Sequence, residues 1–172
     1  PDEDELYVTN CNDNTLTIYD TKQDKTKKTI IVGTKPEGLL MTQNLRQFLY
    51  VANNGSNTIS VLRLYNDEIS RTINVGKGPR GIAVTDNKEK VCMTNYDEGT
   101  LSVIDTKYKT ILSTIMVGSG PSQVATSPDS TTAYVTNYND GTLSVVDLTD
   151  YTVTYTIEIG GTPNDIAITA SG

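Results

Sequence analysis

The stretch YVTNYNDGTLSVVD, from Tyr134 to Asp147, decides the fold, because the chain contains it four times. Residues 92–105 read CMTNYDEGTLSVID, residues 50–63 YVANNGSNTISVLR and residues 7–20 YVTNCNDNTLTIYD. The copies start at 7, 50, 92 and 134, a step of 43 residues and then of 42 twice. A Gly followed three residues later by Pro keeps the same beat, at Gly33/Pro36, Gly76/Pro79, Gly118/Pro121 and Gly160/Pro163. Separate blocks sharing one period mark a repeat architecture.

Within each repeat, short runs rich in Val, Ile, Thr and Tyr are separated by turn chemistry, which predicts strands. In the third repeat the runs are 82–85, 91–95, 101–104 and 111–117. A tight turn joins the second and third runs at Asp13-Asn14, Ser56-Asn57, Glu98-Gly99 and Asp140-Gly141. Its second slot holds only Asn or Gly, the residues that accept a left-handed backbone in a hairpin. Asp20, Asp105 and Asp147 follow the third run and are suited to closing Asx turns, whereas Arg63 takes that slot in the second repeat. Four strands in about 42 residues describe a propeller blade. In the third run Leu101 and Val103 face one way, Ser102 and Ile104 the other, so both faces suit a sheet packed between two neighbours. The expected fold is all-β: one β-propeller domain over residues 1–172 with four antiparallel blades.

Composition limits the chemistry. The 172 residues include 14 basic and 21 acidic side chains, a net charge of −7, which disfavours nucleic acid and anionic membrane as partners. There is no His and no Trp, and one Phe against ten Tyr. Histidine-based acid–base catalysis and histidine metal ligation are therefore excluded. Cys11 and Cys92 form no C-x-x-C pair. Two repeats apart, they exceed the reach of a disulfide and are expected to be free thiols. No apolar run approaches the ~18 residues of a membrane-spanning helix. All basic residues lie between Lys22 and Lys109, while residues 110–172 carry six acids and no base. The chain opens on Pro1 without a signal-peptide pattern, and a processed or trimmed piece is expected.

The string YVTN, followed by GT-L-S-V-I-D-T and closed by V-G-x-x-P, resembles the YVTN β-propeller repeat of archaeal and bacterial surface-layer and cell-surface proteins. The resemblance runs through essentially the whole chain. It implies an innermost strand after each Gly-x-x-Pro, then the YVTN strand, then two outer strands. It also implies an extracellular or cell-surface location. The chain starts just before a second strand and ends after an innermost one. Ring closure is accordingly expected by strand exchange between the segment from Leu6 to Asn10 and the segment from Asp165 to Thr169. Closure within one chain makes four blades, closure between two chains makes an eight-bladed homodimer, and a stretch of a longer propeller is the third option.

Candidate sites follow from the repeats. Asn10, Asn53, Asn95 and Asn137 read as amides that bond a turn once per blade. Tyr7, Tyr50 and Tyr134, with Cys92 in the same slot, read as blade packing. Asp13, Asp97 with Glu98, and Asp140 read as solvated turns rather than calcium ligands, since calcium needs six to eight oxygens. The slot after each Pro varies while its neighbours do not: Glu37, Arg80, Ser122 and Asn164. In a propeller this slot opens on the central funnel, which makes these four the candidate ligand-binding residues, with Glu37 and Arg80 placed for a carboxylate–guanidinium pair. No catalytic residue, metal site or cofactor is expected. The functional expectation is a non-catalytic scaffold for protein binding, adhesion or assembly at a cell or particle surface. The alternatives are a lactonase-like hydrolase at the funnel and a carbohydrate-binding propeller using Tyr96 and Tyr138. Cys11 and Asn54 in the matching slots argue against a four-fold lectin.

Overall fold

A computed structural model describes residues 4–42 and 47–169. Four antiparallel sheets follow one another along the chain. The first has three strands, β1 (Glu5–Asn10), β2 (Thr15–Asp20) and β3 (Lys25–Ile31). The second holds β4 (Pro36–Thr42), β5 (Phe48–Asn53), β6 (Thr58–Arg63) and β7 (Glu68–Asn74). The third holds β8 (Pro79–Val84), β9 (Lys90–Asn95), β10 (Thr100–Asp105) and β11 (Ile111–Met116). The fourth holds β12 (Pro121–Thr126), β13 (Thr132–Asn137), β14 (Thr142–Asp147) and β15 (Thr152–Glu158). These are the blades expected from the period.

The turn chemistry acts as read. Asn14, Asn57, Gly99 and Gly141 all have left-handed backbones, with φ between 56° and 73°. Asp20, Asp105 and Asp147 each accept backbone N–H bonds two or three residues on, and the bonds from Thr149 and Asp150 hold Asp147 below the usual carboxylate range. A register shift recurs where each third strand meets its outer strand, at Ile18/Tyr19, Val61/Leu62, Val103/Ile104 and Val145/Val146. One bulge per blade at one position adds the same twist to each sheet. Pro36, Pro79 and Pro121 begin inner strands instead of standing ahead of them, and the pairing shifts immediately afterwards, as between Pro121 and Val124. Proline tolerates the first position of a strand because it has no ladder N–H to give.

The core lies between sheets. Tyr50, Ile59, Val61 and Ile73 of the second sheet pack on Val91, Met93 and Ile104 of the third. Cys92, Leu101, Val103 and Ile115 then meet Val124, Ala133, Val135 and Val146 of the fourth. Leu16 of the first sheet packs with Leu49, Val51, Leu62 and Leu64 of the second. Each interior sheet thus uses alternate residues of the same strand on two neighbours.

In the Tyr slot, Tyr50 and Cys92 lie in these cores and Tyr7 packs against the one between the first two sheets, while Tyr134 stands on the face of the fourth sheet turned away from the third. Burial pushes the Tyr50 phenol up to about 12, and among the described residues its hydroxyl finds no partner. Tyr7 in the first sheet instead donates to Glu5 at 2.7 Å. Because a buried hydroxyl without a partner costs free energy, Tyr50→Phe is expected to keep the fold and raise stability by up to about 1 kcal/mol. Urea unfolding checks this, and a loss above 1 kcal/mol would contradict it. Both cysteines are free: Cys11 is exposed, and burial pushes the Cys92 thiol up to about 12.

The expected ring closure is not formed. Residues 165–169 make no strand, and β1 pairs only with β2 among the described residues. The physical reason lies beside β12. The Ser122 hydroxyl donates to the Pro163 carbonyl at 3.3 Å and lies 2.9 Å from that of Asn164, which keeps the end of the chain in step with the neighbouring blades rather than beside β1. The described residues form an arc of four sheets with two open ends.

Candidate functional site

The repeated polar residues are engaged within the blades. In every sheet the amide nitrogen of the YVTN Asn donates to two hydroxyls of the third strand. Asn10 bonds Thr15 and Thr17, Asn53 bonds Thr58 and Ser60, Asn95 bonds Thr100 and Ser102, and Asn137 bonds Thr142 and Ser144, all at 2.8–3.0 Å. The amide therefore spans two strands and does more than close a turn. Its signal was the hydroxyl at alternate positions in TLTI, TISV and TLSV.

The Thr of YVTN joins adjacent blades. Thr9 donates to the Glu37 carbonyl at 3.3 Å and Thr94 to the Ser122 carbonyl at 3.2 Å. The acceptors are the main-chain oxygens of the variable slot after each Pro. Close approach here requires glycine: a Cβ at Gly38 would lie 2.5 Å from the Arg80 oxygen, and one at Gly81 2.5 Å from that of Ser122.

Of the four predicted ligand-binding residues, Glu37, Arg80 and Asn164 are exposed and Ser122 is buried. The Ser122 hydroxyl lies 2.9 Å from that of Thr136 and also meets the Pro163 and Asn164 carbonyls, so its side chain serves the joint. The Arg80 guanidinium lies over the Tyr96 ring, 5.3 Å from the centroid, rather than against Glu37. The structure thus separates the expected pair and builds a different cluster.

That cluster combines a cation with aromatic rings on the loop side of the third and fourth sheets. The Tyr96 and Tyr138 rings are 6.4 Å apart and tilted by 52°. The Tyr96 hydroxyl meets Asn139 Oδ1 at 3.2 Å, and Asn139 Nδ2 reaches Ser119 at 3.4 Å. A cleft of about 520 Å³ opens alongside, with Tyr96, Met116, Ser119 and Asn139 in its wall. Met116 is 71% exposed there. Sequence reading singled out the two Tyr side chains but missed Asn139, whose slot holds Asn12, Gly55 and Asp97 in the other copies, and Met116, which lies outside the repeated blocks.

The acidic turns have structural employment. Glu98 accepts the Lys77 N–H at 3.0 Å and Asp140 the Ser119 N–H at 2.6 Å, while Asn14 and Ser56 do the same for Lys35 and Thr34. In each case a hairpin turn caps the Gly-x-x-Pro loop beside it. Among the described residues no group of three or more His, Cys, Asp or Glu is arranged to hold a metal ion.

No protein-family profile matches the chain, and no curated protein matches it. Many solved structures are similar, two of them as follows. Hydrazine synthase of Kuenenia stuttgartiensis has a TM-score of 0.82 at 24% identity, over 91% of this chain and 46% of that one. A functionally unknown protein from Desulfotomaculum acetoxidans DSM 771 has a TM-score of 0.67 at 16% identity, over 82% of this chain and 47% of that one. The chain spans about half the length of each. With the succession of four antiparallel sheets, these likenesses show a β-propeller-like fold.

Proposed function

We propose that this chain is a non-catalytic propeller scaffold of the YVTN repeat type, acting in protein binding or adhesion at a cell or particle surface. The observation that carries this reading is the cluster of Arg80, Tyr96 and Tyr138 on the exposed loop side, beside the cleft at Met116. Tyr, Met and Arg are the side chains enriched at protein interfaces, where a rigid aromatic surface binds at low entropic cost. The repeated polar groups give their hydrogen bonds to the frame, which leaves recognition to the slots that vary from copy to copy, such as those of Arg80 and Tyr96.

Arg80→Glu should reduce co-sedimentation of the purified chain with envelope fragments of its source organism at least tenfold, with an unchanged melting temperature. Equal sedimentation of variant and wild type would refute the reading. Hydrolysis of a simple lactone that is lost in Glu37→Gln would favour the hydrolase instead.

A further inference from the structure

The outer strand of a blade has one row of backbone groups without a partner, and charged side chains are the usual guard against stray pairing there. Three of the four outer strands carry such a guard: Lys25, Lys27 and Lys28 on β3, Glu68 and Arg71 on β7, and Glu158 on β15. β11 carries none, and no charged residue occurs from Thr110 to Pro128. Its edge shows apolar groups instead: Ile111 is 37% exposed, Leu112 41% and Met116 71%. The third sheet packs against a described sheet on either side, so this edge does not arise from where the chain begins or ends.

The register shows which backbone groups are free. The Val117 N–H bonds the Gly99 carbonyl at 3.0 Å, and the bonded pairs then alternate through Ile115 with Leu101 and Ser113 with Val103. Thr114 and Met116 therefore turn their N–H and C=O groups away from β10, and among the described residues β11 pairs with β10 alone. Leu112 is the extra residue of the bulge, where the regular edge stops.

The edge leads into the cleft. Met116 belongs to both, and the cleft wall includes Asp97 and Glu98 but no basic side chain. The first two Gly-x-x-Pro loops carry Lys35 and Lys77, whereas the third reads Gly118-Ser119-Gly120-Pro121 and brings no cation to these carboxylates. The Arg80 guanidinium is engaged by the Tyr96 ring.

We infer, resting on the protein-binding role proposed for the same cleft, that β11 takes a fifth strand from a partner: an extended, uncharged segment rich in Val, Ile and Thr, with a lysine at its N-terminal end. Paired antiparallel, like the strands of every sheet described, the segment exchanges backbone bonds with Thr114 and Met116 and begins beside the cleft. There the lysine stem lies along Met116 and its ammonium meets Asp97 and Glu98. Backbone pairing supplies affinity, and the cleft selects the end residue. A second copy suits the edge less well, because so short a regular stretch falls far below the roughly 1,200 Å² that a stable interface between copies buries.

The probe is an acetylated octapeptide, lysine followed by alternating threonine and valine, labelled with fluorescein at its C-terminal end and titrated with the 172-residue chain by anisotropy. Thr114→Pro should weaken binding about tenfold at an unchanged melting temperature, since proline there removes an N–H that faces solvent and no bond within the sheet. Leu112→Lys should weaken it comparably by restoring a guard charge. Norleucine in place of the lysine should cost about threefold, and Asp97→Asn should remove that difference. Hydrogen exchange at the Thr114 and Met116 amides should slow when the peptide is added. A native chain that does not bind the peptide, binding undiminished in both edge variants, equal binding of the norleucine peptide, or a doubled native mass lost in Leu112→Lys would each overturn the inference. The titration contains no envelope fragments, so a chain that sediments with envelope yet ignores the peptide refutes strand addition alone, whereas equal sedimentation of Arg80→Glu refutes the scaffold reading.

Discussion

Gly118→Ala is expected to destabilise the chain by about 2–3 kcal/mol and to lower its melting temperature by about 4–12 °C, the range for overpacking a site that cannot relax in a domain of this size. The added Cβ would lie 2.5 Å from both Cγ and Nδ2 of Asn137. The amide cannot retreat, because both its N–H bonds are committed, at 2.9 Å to Thr142 and 2.8 Å to Ser144. Moving it would break two buried hydrogen bonds, and keeping it would force the Gly-x-x-Pro loop outward. Gly160→Ala is the control. A Cβ at Gly160 has open space, with nothing within 4 Å, and meets only the strain of φ +80°, about 1–2 kcal/mol. Thermal unfolding of the two variants side by side checks the contrast. A Gly118→Ala protein as stable as wild type would show that the Asn ladder is looser than its geometry.

Leu101→Ala and Leu143→Ala make the second large contrast, because the two leucines occupy one position in successive repeats. Leu101 is fully buried between the third and fourth sheets, and its truncation is expected to cost about 3 kcal/mol through lost transfer energy and the cavity left behind. Leu143 is half-buried on the face of the fourth sheet turned away from the third, and its truncation should cost about 1 kcal/mol, since much of the side chain is still in water. Urea unfolding of the two variants gives these values. Equal costs would mean that this face of the fourth sheet is covered in solution.

Much of the frame was legible because it is local and repeated. The left-handed slot at Asn14, Asn57, Gly99 and Gly141 follows from turn geometry, and the Asp after the third strand follows from the reach of its side chain. The strands of the third repeat were placed within a few residues, the main difference being that β8 starts at Pro79. The failure to close was not legible, because curvature accumulates from packing between sheets and no short motif records it. The site was less legible still. Glu37 and Arg80 occupy matching slots, but the face of the Tyr96 ring captures the guanidinium, and spacing along the chain does not reveal which of two neighbours a long side chain chooses. Ser122 looked free to bind a ligand because its hydrogen-bond partners lie as far along the chain as Asn164.

The joint between blades has a consequence for how such a frame can vary. Thr9 and Thr94 grip the oxygens of Glu37 and Ser122, which belong to the peptide backbone. Any of the twenty amino acids brings that oxygen with it. A mutation that swaps the side chain at this slot can therefore change what the rim presents without loosening the grip beneath it, which makes the rim a place where new specificities can arise while the architecture is inherited unchanged.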